Sequence, residues 1–459
     1  MSTLRATSRC RLSTPKERPG LGPATSPAAC ATLSPVLASL PRSVADLRAI
    51  ADMHGGYRAL ATHGLFYLGY PPLFAAARGS RVLRRQDIAL ITGTQGKTTS
   101  LRAVRHVLGL PLDNWSESSN NVRGEVAWTV LREGRGTRTV PVEAADGIGM
   151  MATYARWLRP RVSTVLNVGA EHLAGLGSLA AAADEMAPAV EVLPPDGCAV
   201  LNADDPHVRP LAERTSADVR WFGRSAQADV RIADVSADSQ RRLIVTLRAD
   251  GTQLVIPTQL VGGHYAHVVA AAVATGLALG VPVSQSAARL ATLPVTPRRL
   301  EPTVTTGGAT LLGDDFKTTP ETIYAGLAEA SLWPAQRRWV VIGELWMLPD
   351  GRVADHYRAV ARAIAEVADD VITVGAPWLE HADAWRGLAV PVRSVVSVAE
   401  ATALLAAESG ESDLIYLKGD EDFRLRRITL ALQGRRVTCN RIECRRRQLM
   451  CDDCPHLAR

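Results

Sequence analysis

Three of the chain's four lysines fall in stretches whose residue types suit phosphate or acyl chemistry. Lys97 lies in Ile91-Thr-Gly-Thr-Gln-Gly-Lys-Thr-Thr99, Lys317 in Asp314-Asp-Phe-Lys-Thr-Thr-Pro320 and Lys418 in Tyr416-Leu-Lys-Gly419. Apart from Lys16, every other Lys/Arg position is arginine. A lysine kept in so arginine-biased a chain marks a place for a compact ammonium, which a planar guanidinium does not mimic. Gly93-Thr-Gln-Gly-Lys-Thr98 is a shortened relative of the GxxxxGK[ST] loop, with Ile91 where that pattern has its first glycine. Successive loop N–H groups and a helix N-terminus surround phosphates. In that role Gly93, Thr94, Gln95, Gly96, Lys97, Thr98 and Thr99 bind a nucleotide. Lys97 reaches the β/γ-phosphates and the Thr98 hydroxyl ligates Mg²⁺.

A second group of reactive side chains sits at the far end. Cys439, Cys444, Cys451 and Cys454 have the spacing C-x₄-C-x₆-C-x₂-C, with His456 in reserve. Four thiolates this close suit a tetrahedral Zn²⁺ site. Redox-active or free thiols, or an iron–sulfur cluster, are the other readings. Arg445-Arg-Arg447 beside them would serve a protein partner of acidic character, or stand as solvated charge.

These residues need a scaffold. Asp87–Thr92 is a short apolar strand and Ser100–Leu108 a helix, the strand–loop–helix setting a phosphate loop requires. Strands are expected at Thr139–Glu143, Val162–Val168 and Cys198–Asn202, with helices at Met150–Leu158 and Leu179–Val190 between them. Such alternation implies a mostly parallel sheet covered on both faces. Alternating polarity over 228–258 predicts an antiparallel excursion, and Tyr265–Leu279 an apolar, Ala-rich helix. A second α/β block begins near 309, with strands at Thr310–Gly313, Trp339–Gly343, Val371–Val374 and Asp413–Lys418. Pro294–Pro297 would be the hinge. At 459 residues and 49.1 kDa the chain is too long for one core.

The net charge of +6 is carried by a Ser/Thr/Pro/Arg-rich leader over 1–43 and by the tail. The near-neutral body between them argues against nucleic acid. No apolar run reaches the length of a membrane span, and the scattered cysteines are not a secreted disulfide framework. A cytoplasmic protein with no membrane partner is expected.

In their order along the chain, roughly 87–436, these segments resemble the ATP-dependent Mur ligase family, which joins amino acids to carboxylates. Asn120-Asn-Val-Arg-Gly124, Asn167-Val-Gly-Ala-Glu-His-Leu173, Asn202-Ala-Asp-Asp-Pro206, Gly263-His264 and Pro297-Arg-Arg-Leu-Glu301 each resemble one of its motifs. Gly175-Leu-Gly-Ser-Leu179, Gly343-Glu344 and Leu417-Lys-Gly-Asp-Glu-Asp-Phe-Arg424 are most similar to its D-alanyl-D-alanine-adding, MurF-like branch. The resemblance implies a P-loop central domain at 87–296 with a mostly parallel sheet, and a Rossmann-like α/β domain at 297–437. A short helical segment (44–86) would precede them and the Cys-rich tail (438–459) follow. It implies an ADP-forming ligase that uses ATP and Mg²⁺ and works through an acyl phosphate on small-molecule carboxylate and amine substrates.

Site residues follow from the same resemblance. Glu143, Thr98 and His172 would hold Mg²⁺, while His264, Arg299 and Asp315 would contact the nucleotide. Lys97, His172, Lys317 and Lys418 would be catalytic, with Arg424 beside Lys418. Three departures stand out. Only about 40 ordered residues are expected before the ATP loop, so an amino acid or small peptide is expected as substrate rather than a UDP-sugar. Met186 stands where the family often has a carbamylated lysine, leaving Asp184 or Glu185 to supply an oxygen. Tyr265 replaces an adenine-side asparagine. The alternatives are a subunit working with an amidotransferase partner, and a P-loop kinase or ATPase.

Overall fold

The computed structural model describes residues 72–458 apart from 113–122, 134–135, 145–149, 171–176, 347, 349–351, 442–443 and 445–449. The expected leader, His172 and most of the Asn120–Gly124 segment therefore lie outside the described residues.

Short aliphatic and β-branched runs, buried on both faces, build the first sheet. β1 (Asp87–Thr92), β2 (Thr139–Glu143), β3 (Val162–Val165), β4 (Cys198–Asn202) and β5 (Asp218–Gly223) are parallel neighbours, and β6 (Val230–Ala237) joins β5 in the same direction. β7 (Arg242–Ala249) and β8 (Thr252–Val261) then run antiparallel, giving the order β2-β1-β3-β4-β5-β6-β7-β8. Burial alternates along β7, as it does in a sheet with one wet face. β5 was not among the expected strands, because Asp218 and Arg220 give its sequence a polar look.

Helix α1 (Lys97–Val107) starts earlier than the expected Ser100, because Gly96 adopts a left-handed φ of 80° and turns the chain into the helix at once. α2 (Met150–Leu158) is as expected. The helix expected over Leu179–Val190 is instead broken. α3 (Leu179–Met186) stops before Pro188, which opens a separate turn, since proline cannot supply the N–H a continuing helix needs. α4 (Ala266–Ala278) is buried along nearly its whole surface. It packs so closely on α1 and α5 (Val283–Leu290) that a Cβ on Gly276 would lie 2.8 Å from Val107 Cγ1 and 2.9 Å from Ser286 Oγ.

The second sheet holds β9 (Glu301–Val304), β10 (Thr310–Asp314), β11 (Arg338–Ile342), β12 (Asp370–Val374), β13 (Val392–Val395) and β14 (Leu414–Lys418), in the order β13-β12-β11-β14-β10-β9. All are parallel except β9, which is antiparallel to β10. α6 (Pro320–Ser331) and α7 (Arg426–Leu432) pack against it. One buried apolar cluster contains residues of both sheets, and Arg241 bonds Glu329 at 2.9 Å between them. Ligands of open parallel sheets lie at the carboxyl ends of strands, and here Asp314 and Lys418 end β10 and β14 in direct register.

One glycine ties α6 to that end of the sheet. A Cβ on Gly326 would overlap the Tyr416 hydroxyl and stand 2.8 Å from its Cζ and 3.0 Å from Asp314 Oδ2. Gly326→Ala is expected to destabilise the protein by about 1–3 kcal/mol through overpacking. Chemical denaturation reads this directly, and a midpoint equal to that of the parent would refute it.

Candidate functional site: a phosphate loop facing a buried carboxylate

The loop between β1 and α1 is held from beneath by the chain that follows β3. Gly93, at φ 139°, passes so near this segment that a Cβ would lie 2.9 Å from Leu166 Cβ and 3.1 Å from Asn167 N. The Asn167 side chain then braces Gln95 twice, accepting from its N–H at 2.8 Å and donating to its carbonyl at 3.0 Å. Thr94 N–H donates to the Asn167 carbonyl at 3.0 Å, and Gly169 N–H to Thr94 Oγ1 at 2.8 Å. Below these, Asn202 donates to Leu166 O and Asp205 accepts from Val168 N, each at 2.8 Å. Residues 166–169 and 202–205 thus act as a rigid bed for the loop.

On that bed Lys97 is buried, with Nζ 2.6 Å from Gly93 O and 3.0 Å from Thr94 O. Thr98 Oγ1 donates at 3.0 Å to Glu143 Oε2, at the end of β2. Thr99 is buried and meets the Tyr265 hydroxyl. The first turn of α1 therefore presents an ammonium and a hydroxyl, and the end of β2 brings a carboxylate to that hydroxyl. Gly93, Thr94, Gln95, Gly96, Lys97, Thr98, Thr99 and Glu143 are brought to one place.

The opposite wall comes from the linker and the second sheet. Asp314 is its centre: Oδ2 accepts from Lys418 Nζ at 2.6 Å and from the Tyr416 hydroxyl at 3.1 Å. Burial lowers the pKa of Lys418, opposed by Asp314. Burial raises that of Tyr416 well above normal, and Asp314 adds to the rise. Lys418 lies beneath Asp314 and only 2% exposed, so it props that carboxylate rather than pointing outward. Tyr265, whose phenol is also raised by burial and then by Asp314, approaches from the first sheet's side. His264 beside it is exposed on one side, and the protein crowding its other side lowers its imidazole pKa.

Arg299 is the side chain that faces both walls. Its guanidinium lies 3.8 Å from the centre of the Phe316 ring. Burial lowers its pKa, although part of its surface stays open, and it feels Tyr265, Asp314, Arg298 and Glu143. Its Nη1 is enclosed and has no hydrogen-bond partner among the described residues. An enclosed cation donor without an acceptor, opposite a glycine cradle, fits an anionic phosphate. The Thr98–Glu143 oxygen pair fits a hard cation that takes hydroxyl and carboxylate ligands.

Other expected residues sit elsewhere. Asp315 is fully buried, with Arg298 donating to Oδ2 at 3.2 Å and to its backbone carbonyl. It therefore locks the linker instead of lining the opening. Lys317 is half-buried in the loop before α6, with Nζ 6.0 Å from the Trp346 ring centre. Met186 is wholly buried in an apolar cluster with Val165, Val168 and Val190. Of its expected substitutes, Asp184 is at the surface bonded to Arg214, and Glu185 accepts from Met151 N at 3.1 Å.

Arg298 was not singled out from the sequence. Its role shows only in the fold: Arg298 at φ 61° and Leu300 at φ 48° are left-handed non-glycine residues flanking Arg299, a strained turn of the sort functional sites keep. Arg424, also left-handed at φ 54°, is 1% exposed and lines a cavity with the tail cysteines rather than an open substrate surface. Among the described residues no three His, Cys, Asp or Glu groups stand at metal-holding separation.

Comparison with known proteins adds independent findings. The Mur ligase middle domain model matches residues 91–276, and the Mur ligase glutamate ligase domain model matches 298–420. The chain is 32% identical over 368 residues to the UDP-N-acetylmuramoyl-tripeptide–D-alanyl-D-alanine ligase of Mycobacterium tuberculosis (strain CDC 1551 / Oshkosh), covering 74% of this chain and 72% of that one. It is 27% identical to the UDP-N-acetylmuramate–L-alanine ligase of Streptomyces avermitilis, over 77% of each chain. Among solved structures, a crystal structure of MurF from Acinetobacter baumannii superposes with a TM-score of 0.72 at 18% identity, over 80% of this chain and 81% of that one. MurF from Thermotoga maritima in complex with ADP gives 0.68 at 19% identity, over 80% and 83%.

Proposed function

Since this chain belongs to the Mur ligase family and is an ADP-forming ligase of that type, we propose that it forms an amide bond between a carboxylate and an amine through an acyl phosphate. The carboxylate oxygen attacks the γ-phosphorus of ATP and the bond to ADP breaks. The amine then attacks the acyl carbon, phosphate leaves with the bonding pair, and the amine loses its proton. The observation that carries this reading is the group formed by Lys97, Thr98 and Glu143 at one end of a braced glycine loop.

In this reading the loop N–H groups hold the α- and β-phosphates, and Lys97 leaves its two carbonyl acceptors to meet the γ-phosphate. Thr98 and Glu143 would hold Mg²⁺, which when bound spreads the charge gathering on the transferred phosphoryl oxygens. Arg299, with its enclosed free Nη1, would meet the phosphate chain from the opposite wall. Asp314 lies within electrostatic reach of His264 and Arg299. It is placed to receive the amine's ammonium or its departing proton, with Lys418 and Tyr416 fixing the carboxylate from below. His264 borders the nucleotide side. Lys317, half-buried in the loop after β10 beside Trp346, keeps its proposed catalytic role by resemblance alone. His172, outside the described residues, keeps its proposed place as a metal ligand by resemblance alone. Chemistry that consumes ATP would place the protein in the cytoplasm, and no helix among the described residues is long and apolar enough to cross a membrane.

The expectation of a sugar-free acid finds no support in the comparisons, since the 32% identical relative is named for a UDP-N-acetylmuramoyl tripeptide. We therefore propose a peptide-type carboxylate as the acid and an amino acid or dipeptide as the amine, and leave the carrier to experiment. ADP release by the full chain should be measured with UDP-N-acetylmuramoyl tripeptide and with free peptides, each with and without D-alanyl-D-alanine or single amino acids. ADP release that requires both acid and amine is expected. Release that ignores the amine would replace this reading with an ATPase.

A further inference from the structure

The four tail cysteines come together although nothing in the ligase chemistry needs them. Cys439, Cys444, Cys451 and Cys454 line one cavity of about 20 Å³, shared with Arg424, Arg427 and Leu457. All four are free thiols. Their approach is imposed by a set of specific bonds. Arg427 donates to Cys439 O at 2.9 Å, to Arg441 O at 2.7 Å and to Phe423 O at 3.1 Å, and its Nη1 lies 3.6 Å from Cys439 Sγ. Cys444 N–H donates to Asp422 O at 2.8 Å. Arg426 grips Asp452 through Nε and Nη2 and reaches Glu301 at 2.8 Å with Nη1. The apolar support is slight: Leu430, Cys451 and Leu457 are the buried members of the local cluster. A segment with so small a core needs another tie to stay ordered.

We propose that these four thiols are the ligands of one structural Zn²⁺ ion, and that this ion fastens the tail onto the loop following Lys418. Cavity size favours a single ion. About 10–15 Å³ by this measure accommodates one water-sized sphere, so a space of about 20 Å³ holds one atom and not a cubane of iron and sulfide. Charge agrees. Four thiolates around Zn²⁺ leave a net charge of −2, and two guanidiniums line the same cavity. The thiols surround the space without yet standing at ligand separation. Zn–S bonds of about 2.3 Å would draw them inward, each thiol giving up its proton.

The loop so fastened, Gly419–Leu425, joins β14 to α7, and Arg426 extends the clamp to Glu301 beside the strained linker. The ion would thus position the wall that carries Asp314 and Lys418 without touching substrate. Metal analysis of untagged full-length protein purified in reductant should give about one zinc per chain. Replacement by Co²⁺ should give the visible absorption of a tetrahedral thiolate site. Cys444→Ser, at a part-exposed position, should lose most of the metal, lower the melting temperature and raise the KM for the amine more than it lowers kcat. The proposal is overturned by zinc-free protein, by iron with labile sulfide, or by a Cys451–Cys454 disulfide in protein prepared without oxidant. Because the first two measurements use the unaltered chain, a variant that fails to fold does not rescue or sink the idea.

Discussion

Replacing Lys97 with alanine is expected to bring ADP release to background, a loss of about 10³-fold or more, while the protein stays folded. Lys97 is buried at the foot of the loop, and its ammonium is shared between Gly93 O and Thr94 O. It is therefore already placed where three phosphate oxygens would gather, and it need only exchange acceptors. Alanine removes that charge, and water in the vacated space is a poor substitute for a fixed cation in an enclosed site. Lys97→Arg should be nearly as harmful, because a planar fork cannot fit the space between two loop carbonyls set for a point charge. The measurement is coupled ADP release, with circular dichroism as the check on folding. Turnover within about tenfold of the parent for Lys97→Ala would remove the loop from the chemistry.

Glu143→Gln is expected to reduce turnover by about 10²-fold at ordinary Mg²⁺, with part of the loss recovered at high Mg²⁺. Glutamine keeps the size of the side chain and an oxygen to accept from Thr98, now at 3.0 Å. What disappears is one negative charge beside a hydroxyl at the C-terminal end of β2. A hard divalent ion binds chiefly through such oxygen charge, so the apparent Mg²⁺ requirement should shift upward. If the variant's Mg²⁺ titration overlays the parent's, the Thr98–Glu143 pair is a structural hydrogen bond and no metal site.

Much of the fold was legible because its strands are short, apolar and bounded by chemistry-bearing ends. Ile88–Ile91 could only be a buried strand, and the glycines before Lys97 announce the turn, although the helix was expected only from Ser100 and begins at Lys97. The short edge elements were not legible. β9 holds Glu301 and Pro302, and β13 holds Arg393 and Ser394, so neither reads as a strand away from its neighbours. The phosphate loop was read from local spacing, which sequence displays. The opposite wall was not, because it depends on residues distant in sequence meeting at one carboxylate. Asp314, Tyr416 and Lys418 were visible as motifs, but the pairing of Arg298 with Asp315 rests on a left-handed turn that no residue type announces. Met186 carried the opposite difficulty. Its neighbours identified it as a departure from a pattern, whereas only packing shows that the space has become apolar core.

The scarcity and burial of the lysines also set how this molecule meets reagents. Amine-directed probes need an accessible, uncharged nitrogen, and Lys97 and Lys418 are 5% and 2% exposed. Among the described residues Lys317 alone offers an ε-amine at a partly open position. A dye or crosslinker aimed at amines would therefore report on the loop that enters α6, with Lys16 as the other lysine in the sequence. Attached there, the label would sit beside the Trp346 ring and would sense movement of that loop.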